Sequence, residues 1–300
     1  MKILRTPSEN FLNLKDYSFK ENYIEFSIKL DSDNLNVRMH YLDENKDSDD
    51  IVLLLHGEPT WSYLYRHMIP KLVKAGKRVI APDLIGFGKS DKLPKREQYT
   101  YERHVEWTHN IIKILNLDNI TLFGQDWGGL IGLRLVANQP ELFKGMVLAN
   151  TSLPIGKGTS EGFEAWKKYS QEVEVFDSGK IVQNASLKKL TDDEIHAYNA
   201  PFPDDTYLAC ARQFPTLVPM NPDDPSVNEN IAAWEILKTF DKPVLTIFGS
   251  KDRVMLGAEK FFQSKIPGTS NMNHQIVEAA HFIQEDQPEL LAESIITLYQ

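Results

Sequence analysis

The 300-residue chain contains one cysteine, Cys210, so it cannot form an intramolecular disulfide. A lone cysteine fits a reducing compartment and excludes cysteine-rich zinc modules. No apolar run approaches the roughly 18 residues that cross a bilayer, and the N-terminal MKILRTPSEN lacks the apolar segment of a signal peptide. We therefore expect a cytoplasmic protein that does not span a membrane.

Positive charge is also scarce. The 33 lysines and arginines are outnumbered by 42 acidic residues, which leaves a formal charge of −9. Non-specific nucleic-acid binding depends on clustered cations, so this balance argues against it. A hydrophobic fraction of 42% is enough for a large core, and 16 glycines with 16 prolines are too few for a low-complexity chain. The totals favour a globular protein that acts on small molecules.

Short apolar runs typical of buried strands alternate with helical patterns along the chain. They span 51–56, 78–83, 120–124, 145–150, 243–249 and 274–280. Such alternation predicts an α/β fold with a mostly parallel sheet and helices on both faces. Ahead of these runs, 23–30 and 36–42 are joined by DSDN, which predicts an antiparallel hairpin at the sheet edge.

The alternation breaks after residue 150 and resumes near 243. Helical patterns at 161–172, 191–199 and 206–214 fill part of the gap, and prolines punctuate it. We interpret the gap as a helical cap inserted into an α/β core. The predicted division is 1–152 for the first part of the core, 153–222 for the cap and 223–300 for the second part of the core.

Two familiar motifs are incomplete. The glycine-rich GFGKS at 86–90 lacks the glycine that a phosphate loop needs at Asp83 and the one that a dinucleotide site needs at Asp91. His104 and His109 are five residues apart on a predicted helix and therefore face different directions. The sequence predicts no metal site and no cofactor.

The segment GQDWGG at 124–129 lies between a strand pattern and a helical pattern, which is the context of a nucleophile elbow. Asp126 stands at the nucleophile position; its simpler alternative role is to cap the following helix. A serine that attacked a saturated carbon would form an ether, whereas a carboxylate forms an ester, which water can cleave. The aspartate therefore favours displacement at an alkyl carbon through a covalent intermediate.

Hydrolysis of such an ester requires a base and a group that orients it. His281 follows the last apolar run, where the chain order of nucleophile, acid and histidine places the base. Asp252 follows the run that ends FGSK and is the candidate acid that orients the imidazole. The other possible location, residues 150–152, carries no carboxylate.

These residues, together with HGEPTWSYLYR at 56–66, resemble the haloalkane dehalogenases of the α/β-hydrolase fold, in particular the subfamily with an Asp-His-Asp triad. The resemblance covers essentially the whole chain and includes PDLIGFGKSD, EGFEAWK and AYNAPFPDDTY. It implies that a haloalkane and water give a primary alcohol, halide and a proton, without a cofactor, in an enzyme of detoxification.

The resemblance also implies how the halide and the oxyanion are held. Trp127 and Trp166 would bind the departing halide, because an indole N–H is a donor without an acceptor lone pair. Other family members have a halide-binding Asn where Glu58 stands, which agrees with assigning the cap tryptophan. The backbone N–H groups of Glu58 and Trp127 would form the oxyanion hole.

We expect the pocket to be apolar. Its predicted lining is Phe163, Phe214, Pro215, Leu217 and Val218 from the cap, and Leu130 and Val254 from the core. The expected partners are a small haloalkane, the halide product and water, with no nucleic acid and no membrane, and the expected state is a monomer.

Two other functions remain open at this stage. An epoxide hydrolase shares the aspartate nucleophile but needs acidic donors on the epoxide oxygen, for which Tyr169, Tyr198 and Tyr207 are the candidates. A non-catalytic binding or signalling protein of the same fold would have to leave the triad unused. HGEPTW and the cap tryptophan favour the dehalogenase.

Overall fold

The computed structural model describes residues 2–30 and 33–300 and is centred on an eight-stranded sheet. The strands are β1 Asn22–Leu30, β2 Asp33–Glu44, β3 Ile51–Leu55, β4 Arg78–Pro82, β5 Ile120–Gln125, β6 Phe143–Ala149, β7 Val244–Gly249 and β8 Gln275–Val277. Their order in the sheet is β1-β2-β4-β3-β5-β6-β7-β8. Pairing is antiparallel from β1 to β4 and parallel from β4 to β8. The predicted α/β fold with an antiparallel start is confirmed.

The predicted hairpin corresponds to β1 and β2. Their pairing runs from Asn22 opposite Tyr41 to Leu30 opposite Asp33. Asp31 and Ser32 of the predicted DSDN turn lie outside the described residues.

Eleven α-helices flank the sheet in the described ranges. They are α1 Ile69–Lys74, α2 Tyr101–Ile114, α3 Trp127–Asn138, α4 Glu161–Glu172, α5 Ser178–Asn184, α6 Asp192–Asn199, α7 Ala209–Leu217, α8 Val227–Leu237, α9 Glu259–Lys265, α10 Ile283–Asp286 and α11 Pro288–Ile296. Short 3₁₀ helices occur at Ser8–Phe11, Ser62–Tyr65, Arg96–Gln98, Pro140–Leu142, Asp205–Leu208 and Pro267–Thr269. None of the helices in the described ranges is long and apolar enough to cross a membrane.

Helices α4 to α8 occupy the chain between β6 and β7, where the sequence predicted helices instead of strands. Thr191 caps the start of α6. Its side chain accepts from the Glu194 N–H, and the Glu194 side chain accepts from the Thr191 N–H. Three details differ from the sequence prediction. Helix α5 was not predicted, because its seven residues are too few to show a helical period. Helix α8 was not predicted either, and α7 continues past Pro215 to Leu217.

The central strands separate two apolar layers. Leu53 and Leu55 of β3 belong to the layer that includes residues of α2, α3 and α8, whereas Val52 and Leu54 belong to the layer with α1 and α11. A strand covered on both faces must be apolar throughout, as β3 is. Because β3, β5 and β7 are parallel, the loops after them meet at one edge of the sheet, where α/β proteins place their sites.

Candidate active site

Asp126 occupies a sharp turn between β5 and α3. Its backbone angles are φ 51° and ψ −129°, a strained conformation for a residue other than glycine. A Cβ atom on Gly124 would lie 2.8 Å from the Cα of Gly129, and one on Gly128 would overlap the Leu55 carbonyl oxygen. The glycines are therefore required for β5 and α3 to approach this closely, and the turn presents the aspartate at the sheet edge.

The loop after β3 supplies the first partner of this carboxylate. The Glu58 N–H donates to Asp126 Oδ1 over 2.8 Å. The loop is held by His56, whose Nδ1 lies 2.9 Å from the Gly57 carbonyl oxygen and whose Nε2 accepts from the Leu84 N–H over 2.9 Å. Burial lowers the pKa of His56, which keeps its Nε2 available as an acceptor.

The other oxygen of Asp126 faces His281. Nε2 of His281 lies 3.4 Å from Asp126 Oδ2, and Nδ1 lies 3.0 Å from Asp252 Oδ2. The second oxygen of Asp252 accepts from the N–H groups of Val254 and Met255 over 2.8 and 3.2 Å. The structure thus brings the three predicted triad residues together, with the imidazole between two carboxylates.

The charges in this group are mutually dependent. Burial works to lower the pKa of His281, but the charge of Asp252 and hydrogen bonds to Asp126 and Asp252 raise it to about 10. Burial works to raise the pKa of Asp252, but the charge and the hydrogen bond of His281 hold it below its ordinary value. The resting site therefore contains an imidazolium stabilised by its two carboxylate neighbours.

The Glu58 side chain lies beside this group. It is 4% exposed, and its Oε1 has no hydrogen-bond partner among the described residues. Burial, reinforced by the charge of Asp126, raises the pKa of Glu58 well above its ordinary value. The site therefore contains a carboxyl group with an unused oxygen whose charged form is disfavoured by burial.

A cavity of about 80 Å³ opens above Asp126. Its lining residues are Glu58, Asp126, Phe163, Trp166, Ile181, Ala185, Val254, His281 and Phe282. Trp166 comes from α4 and reaches the cavity together with Phe163 of the same helix. Residues of α4, α5 and the core thus line the cavity. Its volume is far below the roughly 300–1,000 Å³ of pockets for larger ligands.

Trp127 begins α3 directly after Asp126. Its ring stacks on Phe214 with centroids 4.5 Å apart and meets Tyr101 edge-on at 5.0 Å. Within the described residues, neither its indole N–H nor that of Trp166 donates a hydrogen bond to protein, in contrast to the indole of Trp61, which donates to the Ala197 carbonyl over 3.0 Å. Two indole donors near Asp126 are thus left unused.

The seven predicted pocket residues separate into two groups. Phe163 and Val254 line the cavity, and Val218 lines a neighbouring cavity that also contacts Phe163 and Val254. Leu130 uses its carbonyl to accept from Tyr101, and Phe214 packs on Trp127. Pro215 is buried in α7, and Leu217 packs against the core.

The sequence did not identify Ile181, Ala185 and Phe282 as lining residues. Ile181 and Ala185 belong to α5 and its C-cap, and no helical period marked that element. Phe282 directly follows His281, so its proximity to the triad was the available signal. Gln125, which precedes the nucleophile, was also missed, although its amide contacts His281.

Comparison with known proteins agrees with this geometry. A profile of the α/β-hydrolase fold matches residues 50–288. The haloalkane dehalogenase of Psychrobacter cryohalolentis is 50% identical over 298 residues, which cover 99% of this chain and 97% of that protein. The haloalkane dehalogenase of Mycolicibacterium paratuberculosis is 46% identical over 301 residues, which cover 100% of this chain and 99% of that protein.

Solved structures give the same result. The haloalkane dehalogenase of Paraglaciecola agarilytica, a protein described as tetrameric, superposes with a TM-score of 0.92 at 34% identity and covers 100% of this chain and 99% of its own. A haloalkane dehalogenase of Agrobacterium tumefaciens superposes with a TM-score of 0.75 at 23% identity, covers 92% of this chain and 95% of its own, and supports the fold alone. The chain belongs to the haloalkane dehalogenase family, within the α/β-hydrolase fold.

Proposed function

We propose that the protein hydrolyses small haloalkanes to a primary alcohol, halide and a proton. The observation that carries this proposal is an aspartate, not a serine, on a strained elbow between the Glu58 N–H and the His281 imidazole. A carboxylate in that position forms an ester that the adjacent base can help water to cleave. The named catalytic groups all come from one chain and need no cofactor.

In the first step, an oxygen of Asp126 attacks the carbon that bears the halogen. The carbon–oxygen bond forms as the carbon–halogen bond breaks, and the electron pair leaves with the halide. The unused indole N–H groups of Trp127 and Trp166 are our candidates to bind this anion as its charge develops. Neutral donors suit the role because they bind an anion without forming a strong ion pair that would retain the product.

In the second step, His281 accepts a proton from water, and the water oxygen adds to the carboxyl carbon of Asp126. Formation of the ester removes the charge of Asp126, which is one cause of the raised pKa of His281. The imidazolium therefore becomes more acidic after alkylation, and the neutral base is available when it is needed. Asp252 retains the orientation of the ring through Nδ1.

The carbonyl oxygen of the ester also needs stabilisation in this step. The Glu58 N–H already donates to Asp126 Oδ1 over 2.8 Å. We assign it, with the N–H of Trp127 at the start of α3, to the oxyanion hole of the tetrahedral intermediate. Collapse of that intermediate restores the Asp126 carboxylate and releases the alcohol.

The cavity indicates a short substrate. Its volume of about 80 Å³ is well below the roughly 300–1,000 Å³ of pockets that bind drug-sized ligands. The apolar side chains of Phe163, Val254 and Phe282 suit an alkyl chain. We therefore propose a short haloalkane as the preferred class.

We propose the same division of the chain that the sequence predicts, with 153–222 as the cap between core parts 1–152 and 223–300. Helices α4 to α7 lie in that range, and its residues Phe163, Trp166, Ile181 and Ala185 line the cavity.

We further propose that one chain is catalytically sufficient, so that a monomer is active. We also propose that the protein is cytoplasmic, where the buried thiol of Cys210 stays reduced.

The epoxide hydrolase alternative is weakened by the positions of its candidate tyrosines. The Tyr198 hydroxyl is buried against the Glu285 carboxylate, and Tyr169 is 47% exposed. None of the three candidates, Tyr169, Tyr198 and Tyr207, is among the described residues that line the cavity above Asp126.

The deciding experiment incubates the protein separately with a short terminal bromoalkane and with a simple terminal epoxide. We expect release of bromide from the first and negligible consumption of the second. Asp126→Ala should reduce bromide release by roughly 10⁴-fold or more, because nothing else supplies the attacking oxygen. Preferential turnover of the epoxide, or full bromide release by Asp126→Ala, would refute the proposal.

A further inference from the structure

Gln125 is the last residue of β5, and its buried side chain contacts the catalytic imidazole. Its Nε2 lies 3.3 Å from Nε2 of His281 and donates to the His281 carbonyl oxygen over 3.1 Å. We propose that Gln125 is a positioning residue that favours the neutral imidazole of His281 while water cleaves the alkyl ester. This inference rests on the proposed function, because it concerns the second step of that reaction.

Two partners fix the orientation of the Gln125 amide. Its nitrogen faces the His281 carbonyl oxygen, which can only accept. Its oxygen accepts from Nε2 of Gln284 over 3.4 Å. If the amide were flipped, its oxygen would face the His281 carbonyl oxygen and its nitrogen would face Nε2 of Gln284. The amide N–H therefore faces the imidazole.

Nε2 of His281 has two competing neighbours. Asp126 Oδ2 at 3.4 Å favours the protonated ring, because an N–H can donate to a carboxylate. The Gln125 amide at 3.3 Å favours the neutral ring, because an amide N–H can donate only to an unprotonated nitrogen. In the free protein the carboxylate dominates. Once Asp126 is an ester its charge is gone, and the influence of Gln125 remains.

Other charged groups near His281 must be constant in any test of this idea. Asp252 contacts Nδ1, and Glu58 lies beside Asp126 on the loop after β3. An outer groove along His281 carries Lys251 and Arg253 after β7 and Glu278 after β8. A neutral replacement of Gln125 leaves all five charged or titratable groups in place.

Asn150 provides a matched control. Its Nδ2 donates to the same His281 carbonyl over 2.9 Å and to the Ala280 carbonyl over 2.8 Å, and its Oδ1 accepts from the Gly249 N–H over 2.8 Å. All these partners are backbone atoms. Gln125 and Asn150 thus both donate to the His281 carbonyl oxygen, but of the two side chains only that of Gln125 contacts the imidazole in the described part of the chain.

The experiment compares wild type, Gln125→Met and Asn150→Leu in single-turnover reactions with a short bromoalkane. The alkyl-enzyme is followed by quenching and mass spectrometry from pH 5 to pH 10. Hydrolysis needs neutral His281, so its rate should fall on the acid side. Loss of the Gln125 donor raises the pKa of the ring in the alkyl-enzyme, so the midpoint of that fall should move up by about 0.5–1 pH unit. Below the midpoint, hydrolysis should slow by about 3- to 10-fold.

Asn150→Leu should leave the midpoint unchanged, even if the plateau rate falls. Gln125→Glu is the second test, because a carboxylate cannot donate to the ring and adds a negative charge, so the midpoint should move up further. An unshifted midpoint in folded Gln125→Met, or equal shifts in Gln125→Met and Asn150→Leu, would overturn the proposal. If wild type formed no alkyl-enzyme, the proposed function would fail instead, which is a distinguishable result.

Discussion

Glu285 and His281 lie four residues apart, yet each belongs to a buried charge cluster of a different kind. Glu285 forms two hydrogen bonds with the Arg66 guanidinium, at 2.5 and 2.9 Å, and Arg66 also donates to Glu194 over 3.0 Å. Lys188 donates to both glutamates over 2.9 and 3.0 Å, and the Tyr198 hydroxyl donates to Glu285. We call these five residues the Arg66 cluster.

In the Arg66 cluster the buried Nε of Arg66 has no partner among the described residues, and the site around His281 also leaves polar groups unpaired. The contact from His281 to Asp126 is 3.4 Å long, and the Glu58 Oε1 is unpaired within the described residues. The indoles of Trp127 and Trp166 have no protein acceptor in the same part of the chain. Buried polar groups usually find partners. We propose that the unpaired groups around His281 serve substrate, halide and water, whereas the ion pairs of the Arg66 cluster stabilise the fold.

The Arg66 cluster also joins the proposed cap to the core. Glu194 and Tyr198 lie on α6 and Lys188 shortly before it, whereas Arg66 and Glu285 belong to the core. Beside them, Asp286 accepts from the Lys188 N–H and from the Ala280 N–H, both over 2.8 Å. Asp286 thus connects the residue before His281 to the proposed cap.

Of the substitutions that probe this comparison, Arg66→Met should have the largest effect, and that effect should be on stability. The buried carboxylates of Glu194 and Glu285 would lose their guanidinium partner, which should cost roughly 3–5 kcal/mol in the free energy of unfolding. Urea denaturation measures this loss. The rate of bromide release per folded molecule, assayed at low temperature, should change little. A loss below about 1 kcal/mol would show that the cluster does not stabilise the fold.

Trp166→Phe should have a smaller effect, on rate and not on stability. The ring and its packing remain, but the indole N–H is lost. If that group binds the departing halide, kcat/KM for a bromoalkane should fall by about 10- to 150-fold. Tyr169→Phe is the control, because the ring of Tyr169 packs at a tilt against Trp166 with centroids 5.9 Å apart and is exposed. Equal kinetics for wild type and Trp166→Phe would remove this tryptophan from the halide site.

Lys188→Met should give the smallest effect. The Lys188 side chain is 34% exposed, unlike that of Arg66, which is fully buried. An ion pair screened by solvent contributes at most about 1 kcal/mol to the free energy of unfolding. Urea denaturation of both variants should therefore show a smaller loss in the free energy of unfolding for Lys188→Met than for Arg66→Met. A loss for Lys188→Met as large as that for Arg66→Met would contradict this ranking.

Chain order allowed prediction of the sheet and the candidate triad residues from the sequence. Asp126, Asp252 and His281 each follow a strand, and parallel strands bring such positions to one edge. The Arg66 cluster could not be predicted in this way. Arg66 and Glu285 are 219 residues apart, and no local pattern records which distant carboxylate an arginine meets.

The cavity lining shows a second limit of sequence reasoning. Phe214 was predicted as a pocket residue of the inserted segment, and the structure places its ring on that of Trp127. Ile181 lines the cavity from a helix too short to be recognised. Composition and period indicate that a residue is buried, whereas the direction it faces depends on how the helices pack together.

The central claim is that an alkyl ester forms on Asp126 and is cleaved with the help of His281. The most direct test is mass spectrometry of His281→Gln after incubation with a short bromoalkane. We predict a stable mass increase equal to one alkyl group, located by proteolysis on the peptide that contains Asp126, with one bromide released per molecule. Absence of the adduct despite release of bromide, or an adduct on another residue, would contradict the account.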